Sequence, residues 1–286
     1  MMRMAICLVT DSASDINETI ARDYNIKVVP LTVHFGDQHH YKDREEIDSK
    51  KFFEYLESFD VHPHTAQVNP LVFEACFREI VDQGDEVVGI FLSAEMSGTY
   101  NSAMMAKNAL EEQADRVTII DSKMVTLGQA LIVYEAAKLI REGKDRSTVE
   151  RMIEEKIEKV ESAIVVDTLE YLKKGGRLSA GEAFIGSVLK LKPILQLKDG
   201  KLIPKGKVRG RKKAIKWIKE WLDENQFDLS DKTVAFAHAE EEEYLQALKE
   251  LIQKQYRPKE TIDCRVGGVV GTHSGPGAIA LCFVND

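Results

Sequence analysis

Hydroxyl side chains beside a glycine, set where a strand gives way to a helix, are the most chemically suggestive residues of this chain. Leu92-Ser93-Ala94-Glu95-Met96-Ser97-Gly98-Thr99-Tyr100-Asn101-Ser102-Ala103 follows the apolar run Val87-Val88-Gly89-Ile90-Phe91 and leads into a helix-forming stretch. Free backbone N–H groups and the positive end of the helix dipole meet at such a junction, which favours an anion. The segment holds no lysine, and no G-x-x-x-x-G-K-[ST] surrounds it. The expected guest is therefore a weakly charged group such as a carboxylate rather than a triphosphate.

Two further segments could join it. His64-Thr65-Ala66-Gln67 precedes a helix start at Asn69-Pro70, and the Thr65 hydroxyl could bind a ligand or hold the turn. Gly271-Thr272-His273-Ser274-Gly275-Pro276-Gly277 reads as a glycine-rich loop between two apolar strands, with glycines that let backbone approach closely. His273 could donate a hydrogen bond to a carboxylate or orient a hydroxyl. As the base for a serine nucleophile it lacks support: no G-x-S-x-G elbow is present and no acidic partner is identifiable. His62 and His64 straddle Pro63, with His39 and His40 nearby. H-x-H without a third committed ligand is weak evidence for a metal, so these read as polar surface residues and no metal or cofactor is expected. Residues 201–216 carry eight basic side chains, Arg209 and Arg211 among them, and no acidic one. In a chain of net charge −8 that local reversal suits an acidic or phosphate-bearing partner.

The elements that must position these residues follow from periodicity and capping. Ala5 to Val9 reads as a strand ending at Asp11-Ser12, with Ser14 or Asp15 capping a helix near Ile16 to Tyr24. Ile26 to Phe35 reads as the next strand, and Asp48 or Ser49 opens a helix through Glu57. Asn69 caps a helix with Pro70 at its first position, which Gly84 ends. A strand precedes Ser93, another covers Arg116 to Ile120, Leu127 to Arg141 is an amphipathic helix, and Ser147 caps one more, reaching about Val160. Strand–helix alternation implies a parallel sheet covered on both faces, with ligands beyond the carboxyl ends of its strands. Asp11-Ser12, Ser93 and Asp121-Ser122 fall at that edge.

The rhythm changes near Glu161. Ala163 to Asp167 is strand-like, and Lys174-Gly175-Gly176-Arg177 forms a turn into a mostly apolar helix around Ala180 to Leu191. Phe184-Ile185-Gly186-Ser187-Val188-Leu189 is apolar nearly all round, as a core helix or the wall of an apolar tunnel would be. Pro193 to Leu197 and Lys201 to Val208 read as a hairpin closed at Asp199-Gly200. A basic helix, the strand Thr233 to Ala239, a helix from Glu241 to Gln253, and closing strands starting at Gly267 to Val270 and covering Ala278 to Val284 complete the chain. The expected fold is α/β with two domains: residues 1–160 as a three-layer α/β/α unit with a parallel sheet, and 161–286 as an α/β unit with a mixed or antiparallel sheet.

At 286 residues the chain can form two compact domains. Its acidity argues against a dedicated nucleic-acid binder. The apolar runs fall far short of the ~18 residues of a membrane span, so contact with a membrane would be transient at most. Asp11 closes the short N-terminal apolar stretch, which reads as a folded strand rather than a cleaved signal. Cys7, Cys76, Cys264 and Cys282 are isolated and form no C-x-x-C, as expected for reduced thiols in a cytoplasmic protein.

Taken in order, these segments resemble the DegV family of bacterial fatty-acid-binding proteins. The matching motifs are V-T-D-S-A-S-D at Val9 to Asp15, T-x-Q-x-x-P at Thr65 to Pro70, and L-S-x-x-x-S-G-T-Y-N-S-A at Leu92 to Ala103. G-G-R at Gly175 to Arg177, L-K-P-I-L at Leu191 to Leu195, V-R-G-R-K-K-A at Val208 to Ala214 and G-T-H-x-G-P-G-A at Gly271 to Ala278 continue the series. The resemblance implies one long-chain fatty acid in a tunnel between two domains. Its carboxylate would be bound by Thr65, Ser93 and His273, with Ser97, Gly98 and Arg177 in support and Phe184, Ile185, Val188 and Leu189 along the acyl chain. It also implies a partner, a separate ATP-dependent kinase met by Arg209 and Arg211, which makes an acyl phosphate for phospholipid synthesis; alone, the chain would not be an enzyme. Two other readings remain at this point: a stand-alone esterase using Ser93 and His273, and a lipid-sensing regulatory module.

Overall fold

The computed structural model describes residues 4–178 and 191–286. β1 (Ile6–Asp11) runs into a short 3-10 turn at Ser12–Ser14 and then α1 (Glu18–Asp23). The cap expected at Ser14 or Asp15 falls instead to Asn17, whose side chain accepts from the Thr19 N–H. Asp15 sits at φ 50°, a left-handed conformation that non-glycine residues hold only with local support, and its carboxylate is used elsewhere.

Residues 26–35 form two strands rather than one. Pro30 has no N–H to give a ladder, and it divides the run into β2 (Lys27–Val29) and β3 (Thr32–Phe35), which enter different sheets. β3 becomes the centre of a small antiparallel sheet between β4 (His39–Lys42) and, beyond α2 (Ser49–Ser58), β5 (His64–Ala66). α3 (Pro70–Val81) starts as its sequence dictates: Asn69 accepts from the Leu71 N–H, and proline occupies the first turn. β6 (Glu86–Phe91), α4 (Thr99–Asn108) and β7 (Val117–Asp121) follow. The four-stranded sheet has the order β2-β1-β6-β7, and every pair in it is parallel.

α5 (Leu127–Arg141) is buried almost all round rather than along one stripe. It packs against β1 and β6 on one side and β11, β12 and β13 on the other, so it is the layer between two sheets and has little solvent face. α6 (Arg146–Ile157) is capped by Asp145, which accepts from the Thr148 N–H, in place of the expected Ser147.

The second sheet is built from β8 (Val160–Val165), then, past α7 (Glu170–Lys174), the hairpin β9 (Leu191–Lys198) and β10 (Lys201–Arg209). α8 (Arg211–Glu224), β11 (Thr233–His238), α9 (Glu242–Gln255), β12 (Glu260–Arg265), α10 (Gly268–Ser274) and β13 (Ile279–Val284) complete it. Its order is β10-β9-β8-β13-β11-β12, with β11 and β12 parallel and the remaining pairs antiparallel. The hairpin turn is Asp199-Gly200, at φ 50° and 77°, the left-handed pair that suits strand twist in a two-residue loop. Ile218, Leu222, Leu248, Phe236 and Phe283 seal the outer face beneath α8 and α9. The inner face joins α5 and the first sheet in one continuous apolar core.

Two expectations near the C-terminus are corrected. The strand start at Gly267 to Val270 and the glycine-rich loop after it are the helix α10, and the strand is earlier, at β12. Short Gly/Val runs do not distinguish strand from helix by periodicity. α10 turns away from the second sheet to pack on α2, β3 and β5. Residues 180–191, expected to form a helix, lie outside the described residues up to position 190.

Candidate functional site

The turn of α10 towards the small sheet brings His273 to β5. Thr65 Oγ1 and His273 Nε2 lie 3.1 Å apart, across 208 positions of sequence. Glycines make this approach possible. A Cβ at Gly271 would stand 2.6 Å from the Phe52 ring, so α10 can seat on α2 only without one. A Cβ at Gly175 would stand 2.1 Å from His273 Nδ1, so the imidazole rests directly on the backbone at the end of α7. Burial pushes the His273 pKa down to about 4, with the Arg177 and His62 charges acting the same way. The ring is therefore neutral near pH 7. Its Nδ1 is buried without a partner, so no carboxylate orients it.

Arg177 links this histidine to the Ser97 loop. Its Nε donates to the Met96 carbonyl (3.1 Å) and its Nη1 to the Gly175 carbonyl (2.6 Å). Ser97 Oγ lies 3.0 Å from Thr99 Oγ1 and accepts from the Thr99 N–H at the start of α4. Gly98 is another point of close approach: a Cβ there would meet Gln67 Oε1 at 2.0 Å. Gln67 itself donates to Ser102 Oγ (2.9 Å), which fixes the segment after Thr65 to the first turn of α4. Behind the loop, the fully buried Asp11 accepts from the Leu92 and Ala13 N–H groups and from Gln129 of α5. Burial dominates its environment and pushes its pKa up to about 7. The V-T-D-S segment thus serves as internal bracing.

Thr65, Ser97, Arg177 and His273 all line one cavity between the two sheets. Apart from Thr126 and Ser274 the rest of its wall is apolar, with Leu31, Leu92 and Val125 from the first part of the chain facing Ile164, Leu195 and Ala237 of the second sheet. The character of the wall is that of a site for a largely apolar guest. Thr126, at φ 49° and held by its N–H to the Ala13 carbonyl, also borders it.

Ser93 does not join this group. It is fully buried, donates from Oγ to the Gly200 carbonyl (2.7 Å) and accepts from the Glu95 N–H. Its single hydroxyl proton is committed to the tip of the β9–β10 hairpin. Ser93 therefore ties the first sheet to the second, helped by the Lys201–Glu95 ion pair (3.0 Å), and it is Ser97 that borders the cavity. The Ser93–His273 pair needed by the esterase reading is not formed. Arg209 is exposed, whereas Arg211 is paired with Glu241 and lies over the Tyr244 ring. Phe184, Ile185, Val188 and Leu189 lie outside the described residues. Among the described residues no group of three or more His, Cys, Asp or Glu is arranged to hold a metal ion, and no helix is long and apolar enough to cross a membrane.

Residues 5–286 match the family model described as "Uncharacterised protein, DegV family". The chain belongs to the DegV family. A DegV domain-containing protein of Caldanaerobacter subterraneus subsp. tengcongensis is 36% identical to it over 278 residues, covering 97% of this chain and 98% of that one. Among solved structures, a DegV-family protein from Thermus thermophilus, described for its fatty acid binding, superposes with a TM-score of 0.91 at 31% identity, covering 99% and 100% of the two chains. DegV of Bacillus subtilis, described as a fatty acid binding protein, gives 0.88 at 34% identity, with 99% and 100% covered. The two-sheet architecture of this DegV chain is thus that of its solved relatives. Sequence reasoning passed over two parts of the candidate site, the position of Gly175 as the floor under His273 and the split between Ser93 and Ser97. The G-G-R motif was a signal for the first; nothing in the sequence distinguishes the two serines.

Proposed function

We propose that this protein binds one long-chain fatty acid in the cavity between its sheets, with the carboxylate at Thr65, His273, Ser97 and Arg177, and presents that carboxylate to a separate ATP-dependent kinase for acyl-phosphate formation. The observation that carries the binding reading is the meeting of Thr65 and His273 on the wall of an otherwise apolar cavity. Burying an acyl chain gains about 0.8 kcal/mol per CH₂, while a buried carboxylate is costly without donors. The wall supplies the first and the polar group the second. A neutral imidazole offers an N–H without competing for a counter-ion. The relatives from Thermus thermophilus and Bacillus subtilis, described as binding fatty acids, support the same ligand class.

The kinase step rests on the family resemblance and on the exposed basic segment around Arg209, which suits an acidic or phosphate-bearing partner. No Walker-type loop is present in the chain, so the nucleotide would come with the partner. Phe184, Ile185, Val188 and Leu189 would complete the acyl wall. Native mass spectrometry of the purified protein tests the binding reading: a mass increment of one fatty acid is expected, removed by delipidation and restored by palmitate or oleate. A clean unliganded mass with no uptake of either would overturn it.

A further inference from the structure

Three histidines meet on one face of the small antiparallel sheet. His34, on the central strand β3, stands directly opposite His40 of β4 and His64 of β5, and cross-strand partners present their side chains to the same side. His34 Nδ1 and His40 Nδ1 are hydrogen-bonded (2.5 Å), with ring centroids 4.5 Å apart. The His34 ring also stacks on His64, 4.7 Å away and within 13° of parallel. His34 is half-buried and its Nε2 is enclosed without a partner, whereas His40 and His64 are exposed. The residue after His64 is Thr65, which points to the opposite face and meets His273.

A bond between two ring nitrogens needs one N–H and one lone pair. With His34 as the donor, its enclosed Nε2 is a bare lone pair and His40 carries its own hydrogen at Nε2. With the roles reversed, His34 holds an enclosed N–H that nothing accepts, the costlier defect. The neutral pair therefore has His34 as donor. Every protonated form that keeps the bond puts a hydrogen on His34 Nε2. The alternative, a proton on His40 Nδ1, takes the lone pair that made the bond and sets two N–H groups against each other. Burial lowers the His34 pKa, and charges on His64 and His40 lower it further. No carboxylate, Asp37 of the β3–β4 turn included, is bonded to any of the three histidines among the described residues. Lys42, on the same face of β4, is paired with Glu45 (3.6 Å), and His62 is influenced by Lys174 and Glu170 of α7. On the opposite face His39 lies against Phe59, α2 carries the Lys50–Glu54 pair (3.9 Å) and Lys51 over the Tyr55 ring, and α10 carries His273.

We infer that the His34–His40 pair is an acid-sensitive latch on the ligand site: closed and neutral near pH 7, it opens on proton uptake in mildly acidic solution and lets Thr65 part from His273. The release it implies rests on the proposed fatty-acid reading; the latch itself rests on the hydrogen bond and the enclosed Nε2. β5 is three residues long and β3 is its only strand partner among the described residues. Movement of His34 therefore reaches β5 through the stacked His64, and like charges directly opposite weaken a strand pair.

The test uses the delipidated full chain and submicromolar cis-parinaric acid as the fluorescent probe, from pH 7.5 to 5.5. His273, with its pKa near about 4, stays neutral throughout. Wild-type affinity is expected to fall at least fivefold across that range. His40→Gln keeps an acceptor for the His34 N–H and takes up no proton. It should bind within threefold of wild type at pH 7.5 and change less than twofold by pH 5.5. His34→Phe, which keeps the stacked ring without its nitrogens, should be equally flat. A wild type that changes less than twofold, or a variant that binds at pH 7.5 and then weakens as the wild type does, overturns the inference. Nitrogen-15 spectra of the unliganded wild type need no probe and separate this from a failure of the ligand reading. They should show a coupling between the two Nδ1 atoms at pH 7.5, with His34 as the Nδ1–H tautomer, and its loss by pH 5.5. If no protein binds the probe, the release role falls and these spectra decide the latch; a coupling that persists, or His34 protonated at Nε2 at pH 7.5, overturns it.

Discussion

Replacing Gly175 by alanine adds one methyl group where the structure leaves none of the room it needs. Gly175 sits at φ −78° and ψ −4°, a conformation alanine adopts freely, so the backbone itself gives no reason for the variant to misfold. The new Cβ would lie 2.1 Å from His273 Nδ1. Restoring ordinary contact near 3.4 Å requires a shift of about 1.3 Å in the imidazole or in the α7 terminus. Since His273 Nε2 is 3.1 Å from Thr65 Oγ1, a displacement of that size breaks the bond and takes the ring off the proposed carboxylate position. A hydrogen bond to a charged group contributes about 1.5–3 kcal/mol, so fatty-acid affinity should fall about ten- to hundredfold. Displacement of a fluorescent fatty acid from delipidated protein measures the loss, and a melting curve checks that the unliganded fold persists. Binding within threefold of wild type, in a protein that melts normally, would refute the claim that the imidazole must rest on this glycine.

Thr65→Val keeps the shape of the side chain and removes the hydroxyl; affinity should fall about tenfold, read in the same displacement assay, with little change in melting temperature. Ser93→Ala and Ser97→Ala should behave differently from one another. The first leaves the buried Gly200 carbonyl unpaired and should cost about 1–3 kcal/mol of stability in denaturant unfolding, with affinity within threefold of wild type. The second should weaken binding, at a stability cost of about 1 kcal/mol because the Thr99 N–H loses its acceptor; an affinity loss in Ser93→Ala with none in Ser97→Ala would return Ser93 to the carboxylate. His273→Gln tests the neutral imidazole. Between its ordinary 6.5 and about 4 the unfolded chain binds a proton that the folded histidine refuses, so this group's contribution to stability falls as pH falls through that window. The variant should lose that contribution, seen as a smaller drop in melting temperature than wild type from pH 7 to 4.5, against an identical background from the buried aspartates.

How far the sequence revealed this molecule depended on whether a signal was local. Asn69-Pro70, Asp48 and Asp199-Gly200 are capping and turn chemistry, and each lies where its residues require. The parallel sheet followed from β-branched runs alternating with helices. Pro30 was visible, yet its effect was not, because the run around it is apolar on both sides and only the pairing shows that β2 and β3 join different sheets. β4 and β5 are short, and three of their seven residues are histidines, so no apolar alternation marked them. α5 has a helical period, but its burial on every side depends on strands of the second sheet, β11, β12 and β13, the first of which starts only at Thr233. The candidate site divides in the same way. A hydroxyl loop, a threonine and a histidine were legible as residue types suited to a carboxylate. That Ser97 and not Ser93 faces the cavity is settled by the hairpin tip, whose carbonyl takes the Ser93 proton.

The energetic asymmetry of such a site decides which measurements can speak to its function. The fourteen methylenes of palmitate contribute roughly 11 kcal/mol on burial, as an upper figure before the costs of association. One headgroup hydrogen bond is worth at most about a quarter of that. Thr65→Val should therefore still carry a fatty acid when purified, and a bound adduct in that variant would not argue against a headgroup role. On the proposed reading, the polar residues fix the place and direction of the carboxylate rather than the retention of the chain. If the protein presents that carboxylate to a kinase, the loss of acyl-phosphate formation in Thr65→Val and Gly175→Ala should exceed the loss of affinity when both are measured at saturating ligand. Equal rates at saturation would mean that the carboxylate needs no fixed position for transfer, and the polar cluster would then be no more than a way of tolerating a buried charge.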